Sequence, residues 1–149
     1  LTRPESRVAD ILIRHGFPIT HNKVLSGTKY RPDFIIIGRT AVVLEVDEHC
    51  HAKYDQDQER LREQRITARL NDSGHDVYIL RFDPYKARLS RLMVDIVPLV
   101  RSLLNDTPAT AILERLNATI DHHVIRDLIF FPDVQYESAN DVSRVLYSS

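Results

Sequence analysis

Arg31-Pro32-Asp33-Phe34-Ile35-Ile36-Ile37, a connection Gly38-Arg39-Thr40, then Ala41-Val42-Val43-Leu44-Glu45-Val46-Asp47 is the stretch on which the fold is read. Its two arms are apolar and rich in β-branched residues, which suit a pleated, buried surface. Joined by a short segment with glycine, they predict a β-hairpin over 33–37 and 41–47. A three-residue connection pairs Ile37 with Ala41, and so brings Asp33 beside Glu45 at the open end. The inference depends on register, because a slip of one residue turns every side chain to the other face. Ionised groups on core strands are rare unless they are paired or bind metal. The hairpin therefore predicts a site as well as a fold.

Working outward, Thr2-Arg3-Pro4-Glu5 reads as a helix start, with Thr2 as cap, Pro4 in the first turn and Glu5 three after Thr2. Val8, Ile11 and Leu12 (with His15) share one helical face, and Gly16 ends the helix. A loop or short strand fills 17–30. After the hairpin, Tyr54 to Asn71 is a strongly charged helix with Leu61, Ile66 and Leu70 as sparse apolar points. Ser73-Gly74-His75 closes it, and Val77-Tyr78-Ile79-Leu80-Arg81-Phe82 is a third strand, central in the sheet. Asp83-Pro84 leads to a helix carrying Leu89, Leu92, Met93, Ile96, Leu99, Val100 and Leu103, with Pro98 expected to kink or split it. A helix from Thr107-Pro108 to Asn117, a strand from Val124 to Phe131 and a last short helix over 138–147 complete the expectation.

This order predicts an α/β (α+β) domain, a mixed central sheet flanked by helices with a helical C-terminal extension. Residues 1–105 form the expected core. Residues 106–149 form an extension that packs on the core or mediates protein contacts.

The 149 residues allow one domain with a sizeable core, and 43% hydrophobic and 28% charged residues are ordinary for a globular chain. No apolar run approaches the roughly 20 residues that span a bilayer, so no membrane partner is expected. No secretory signal pattern opens the chain. Leu1 stands first and the only methionine is Met93, which suggests one domain of a longer protein. The single cysteine, Cys50, rules out an intrachain disulfide and a multi-cysteine zinc site, and favours an intracellular setting. Cys50 is read as a small strand residue facing the core, in preference to a nucleophile beside His49 and His51.

Net charge is −1, but it is unevenly spread: residues 1–91 balance at +3 and residues 92–149 at −4. Asp33, Glu45, Asp47 and Glu48 are among the acids of the first part. A metal ion neutralising several of them would leave a basic surround attractive to phosphate. Mg²⁺ prefers one or two carboxylates, retained waters and substrate oxygens. Asp33 and Glu45, with the carbonyl of Val46, are the candidate metal ligands. Glu45 and Asp47, two apart on a strand, share a face. His51 follows Asp47 by four and Asp55 follows His51 by four. His51 is a candidate to deprotonate or orient water, or to protonate the leaving group. Taken one at a time these residues have plainer readings: Asp33 as a turn residue, Glu45 and Asp47 paired with Arg31 or Lys53, His49 and His51 flanking a turn.

Glu5 in an opening helix, Arg31-Pro32-Asp33-Phe34, Glu45-x-Asp47-x-x-x-His51, a charged helix and a strand ending Leu80-Arg81-Phe82 together resemble the PD-(D/E)XK nuclease superfamily. Within it the pattern looks most like the branch of the very-short-patch-repair (Vsr) mismatch endonucleases and phage homing endonucleases with an E-D-x-H-D-type site. The resemblance covers residues 2–85 and implies a restriction-endonuclease-like core. It implies a Mg²⁺- or Mn²⁺-dependent endonuclease that cuts phosphodiester bonds with metal-activated water, DNA being favoured over RNA.

By that resemblance Asp33 matches the Asp of the "PD" element, Glu45 the acid of "(D/E)XK", His51 the branch's histidine and Glu5 the opening-helix acid. Asp55 or Asp57 is the later acid, and Asp55 has the closer spacing. Asp47 departs from the pattern, standing where the orthodox lysine belongs. Water activation is then expected of His51, a second metal or a basic residue of the next helix. Lys29, Arg31, Lys53, Arg60 and Arg65 are candidate nucleic-acid contacts. His122 and His123, adjacent in sequence, make a poor chelate, and His15, His21 and His75 show no partner pattern. The rival expectations are a catalytically weak nuclease fold that binds nucleic acid or docks in an assembly with other domains, and a hydrolase of small phosphoesters.

Overall fold

The computed structural model describes residues 4–46, 56–83, 89–105, 125–131 and 143–147. Helix α1 (Pro4–Arg14) opens the fold. Gly16, at φ 83°, turns the chain out of it while its N–H donates to the Ile13 carbonyl, as a C-terminal glycine does in the left-handed region. Strand β1 (Ile19–His21) leads to the hairpin of β2 (Phe34–Ile37) and β3 (Thr40–Val46). The expected register holds: Ile37 pairs with Ala41 and Phe34 with Leu44.

Helix α2 (Gln56–Asp72) then crosses to β4 (Asp76–Phe82), which lies parallel to β3. Helix α3 (Leu89–Leu104) precedes β5 (Ile125–Phe131) and β6 (Ser143–Tyr147). The six strands form one mixed sheet in the order β1-β2-β3-β4-β5-β6, parallel only between β3 and β4.

Strand alternation divides the core in two. Phe34, Ile36, Val42, Leu44, Tyr78, Leu80 and Phe82 face one side, where Val8 and Leu12 of α1 and Ile96, Val100 and Leu103 of α3 cover them. Ile35, Ala41, Val43, Val77 and Ile79 face the other side, under Ile66 and Leu70 of α2. Burying each large apolar side chain contributes about 1.5–3 kcal/mol, so both layers rest on the sheet by apolar burial. No described helix is long and apolar enough to cross a membrane.

One expectation needs correction. Residues 143–147, expected as helix, are a strand antiparallel to β5. Val145, Leu146 and Tyr147 suit a strand, and the open edge of β5 supplies backbone partners that a short helix would lack. Of the two outcomes expected at Pro98, a kink or a split, the split does not occur, and α3 is one helix. Proline deprives the Val94 carbonyl of its helical donor, but Val94 and Pro98 both lie on the exposed face, where water can take the donor's place.

Strands β5 and β6, both from the 106–149 stretch, belong to the same sheet as the hairpin, with Leu128 in one core layer and Ile129 in the other. The expected cap Thr2 and the expected helix from Thr107 to Asn117 lie outside the described residues.

Candidate active site

Glu5, Asp33 and Glu45 come together from α1, the entry to β2 and the exit of β3. The hairpin register places Asp33 opposite Glu45, and two hydrogen bonds lock them. The Val46 N–H donates to Asp33 Oδ2 at 2.7 Å, and the Asp33 N–H donates to Glu45 Oε2 at 3.3 Å. The Asp33 carboxyl also bonds the Glu5 side chain. Burial, the neighbouring Glu45 charge and the bond to Glu5 push the Asp33 carboxyl up from 3.8 to about 8, against the lowering pull of the Val46 N–H. Burial and the neighbouring negative charge both disfavour the ionised form of Asp33.

Cations flank the acids on the α2 side. Glu45, only 5% exposed, points to that side and accepts a 2.5 Å bond from Arg62 Nη1. Arg81 is Glu45's register partner on β4. Its Nη2 donates to Glu59 Oε2 at 2.9 Å and Glu63 Oε1 at 3.0 Å. Burial works against the Arg81 charge, but Glu45, Glu63 and Glu59 outweigh it and raise its pKa above the usual arginine value. On the α1 side His21 Nε2 lies 2.9 Å from Glu5 Oε2, and its ring stacks on Phe34 with centroids 4.6 Å apart.

Of the residues singled out from the sequence, Glu5, Asp33 and Glu45 are thus assembled, with the Val46 backbone beside them. Lys29, Arg31, Arg60 and Arg65 are exposed on the surface, with Lys29 5.6 Å from the Tyr30 ring centre. Asp57, also exposed, lies in the first turn of α2. Asp47, Cys50, His51, Lys53, Asp55, His122 and His123 lie outside the described residues. Glu45 pairs with Arg62; Arg31, one of the partners considered for it, sits two residues before Asp33.

His21, Arg62, Arg81, Glu59 and Glu63 were not singled out from the sequence as site residues. Arg81 carried the same signal as Glu45, a charge on an otherwise apolar strand. Glu59 and Glu63, four apart, share a helix face. Nothing local marked His21, which reaches Glu5 across 16 residues of chain.

The donor chemistry suits a hard divalent cation. Such an ion takes carboxylate and carbonyl oxygens, and Mg²⁺ needs only one or two protein carboxylates. Asp33 and Glu45 provide that pair of carboxylates. Among the described residues, no group of three His, Cys, Asp or Glu side chains is arranged to hold a metal ion. Comparison of the chain with protein-family models, curated proteins and solved structures gives no match.

Proposed function

We propose that the chain is a Mg²⁺- or Mn²⁺-dependent endonuclease domain with a restriction-endonuclease-like core, acting on DNA in preference to RNA. The observation that carries the reading is the convergence of Glu5, Asp33 and Glu45 at one end of the β2–β3 hairpin, with Asp33 holding its proton to about 8. The succession of α1, the hairpin, α2 and a parallel β4 supports the core assignment, because it follows the order of motifs in the nuclease resemblance.

A bound divalent cation would position a phosphate oxygen and lower the pKa of a water. Asp33, Glu45 and the Val46 carbonyl are the residues that would hold it. Arg62 holds the Glu45 carboxylate in place through its Nη1 bond. Lys29, Arg31, Arg60 and Arg65, all exposed, are the cations that would contact the phosphate backbone. With Asp47 in place of a lysine, the proton of the attacking water falls to His51, and Lys53 and Asp55 complete the reading of that segment.

The test is cleavage of supercoiled plasmid and of single-stranded DNA with Mg²⁺ or Mn²⁺. Asp33→Ala and Glu45→Ala are each expected to lower the rate by about 100-fold or more, as for loss of one charge-stabilising group. Undiminished cleavage by both variants would sink the mechanism.

A second reading, a catalytically weak nuclease-fold module that binds nucleic acid or docks in an assembly, is favoured by the Arg62–Glu45 pair, which occupies one oxygen of a proposed ligand. Salt-sensitive DNA binding without any stabilisation by divalent cations would select it.

A further inference from the structure

We propose that His21 is a positioning residue for Glu5: its ring, fixed on Phe34, holds the Glu5 carboxylate toward Asp33 and Glu45. The inference rests on the reading of Asp33 and Glu45 as a cation site and adds a residue, acting through Glu5, that the reading does not contain.

The geometry behind it is a two-residue clamp at the end of β1. His21 pairs with Phe34, the residue after Asp33. The two rings lie nearly parallel, at 18°. Phe34 is fully buried, so it is a firm base for the imidazole. The next residue, Asn22, sits at φ 50° and donates its N–H to the Asp33 carbonyl at 2.8 Å. Asparagine tolerates this left-handed conformation better than most residues. One short segment thus grips Asp33 by its backbone and Glu5 by its side chain.

The His21–Glu5 bond is not what docks α1. That helix is held by Val8, Ala9 and Leu12, all buried against the sheet and α3. Glu5 stands in the first turn, partly exposed, with its carboxylate bonded both to His21 and to the Asp33 carboxyl. The His21 bond therefore acts with the Asp33 bond to fix where this carboxylate points. Glu5 bonds the proposed ligand Asp33, and groups that orient a ligand without touching the ion typically change metal affinity or activity by about 10–100-fold when lost.

The experiment is Mn²⁺ titration of the whole chain by electron paramagnetic resonance, alongside metal-free melting curves. His21→Phe keeps a ring against Phe34 and removes the donor. His21→Gln keeps a donor and removes the ring. His21→Phe is expected to weaken Mn²⁺ binding about 10-fold or more with little change in metal-free melting. His21→Gln is expected to restore most of the affinity.

Wild-type affinity in His21→Phe overturns the inference and leaves the cation site standing. So does a His21→Gln variant as weak as His21→Phe, since a shared loss of packing would then explain both. Failure of the unmodified chain to bind Mn²⁺ overturns the inference together with the reading beneath it.

Discussion

Asp33 concentrates the tension in this molecule. Its carboxyl accepts the Val46 N–H, bonds Glu5 and faces Glu45, and its pKa rises from 3.8 to about 8. An acid with a raised folded pKa binds more protons folded than unfolded at intermediate pH. Its stabilising contribution is therefore complete below about 3.8 and is lost as pH rises toward about 8. Without divalent cations, the chain is expected to be less stable to urea at pH 8 than at pH 5. Asp33→Asn, which cannot ionise, should flatten that decline. Unfolding curves of both proteins in a chelator decide it: equal slopes against pH would show that Asp33 is not the group responsible. Arg81 makes the opposite case, because three acids outweigh the cost of its burial and hold it charged.

The hairpin is the element on which the fold and the site both depend, and it is anchored at its closed end. Thr40 Oγ1 donates to the Leu103 carbonyl, and the Arg39 N–H donates to the Leu104 carbonyl at 3.1 Å. The turn thereby caps the end of α3, whose last carbonyls have no partner within the helix. A Cβ on Gly38 would stand 3.0 Å from the Leu104 oxygen and 3.2 Å from its Cβ, so this glycine is needed for close approach. Gly38→Ala is expected to cost about 1–3 kcal/mol, the range for overpacking, by forcing α3 back from the turn. Thermal unfolding measures it, and an unchanged midpoint would mean that the helix end gives way freely.

Legibility in the sequence followed the range of the forces involved. The register could be read from the short connection Gly38-Arg39-Thr40, which pairs Ile37 with Ala41 and so brings Asp33 beside Glu45. The last strand could not: Val142, Val145 and Leu146 also fit helical spacing, and the free edge of β5 decides the outcome from a distance. Asp33 and Glu45 stood out as acids at the ends of apolar strands, and Glu5 only through its place in an opening helix. His21 and Arg62 reach the site only through packing of β1 and α2, which no local pattern records.

At the scale of the whole molecule, acids buried where the hairpin opens are flanked by arginines from α2 and β4, within a basic first part and an acidic remainder. Such an arrangement stores unfavourable charge that an added cation can relieve, so cation binding and proton binding should compete. At pH 8 a divalent cation at about 100 times its dissociation constant should stabilise the fold by about 2.7 kcal/mol. For a domain near this size, that raises the melting midpoint by roughly 5–10 °C. At pH 5 the same concentration of Mn²⁺ must first displace the proton on Asp33, and the rise should shrink. Differential scanning calorimetry at the two pH values, on the unmodified chain and on Asp33→Asn, reads this coupling directly. A midpoint shift independent of pH, or one retained in full by Asp33→Asn, would place the cation elsewhere on the molecule and separate the acidic cluster from metal binding.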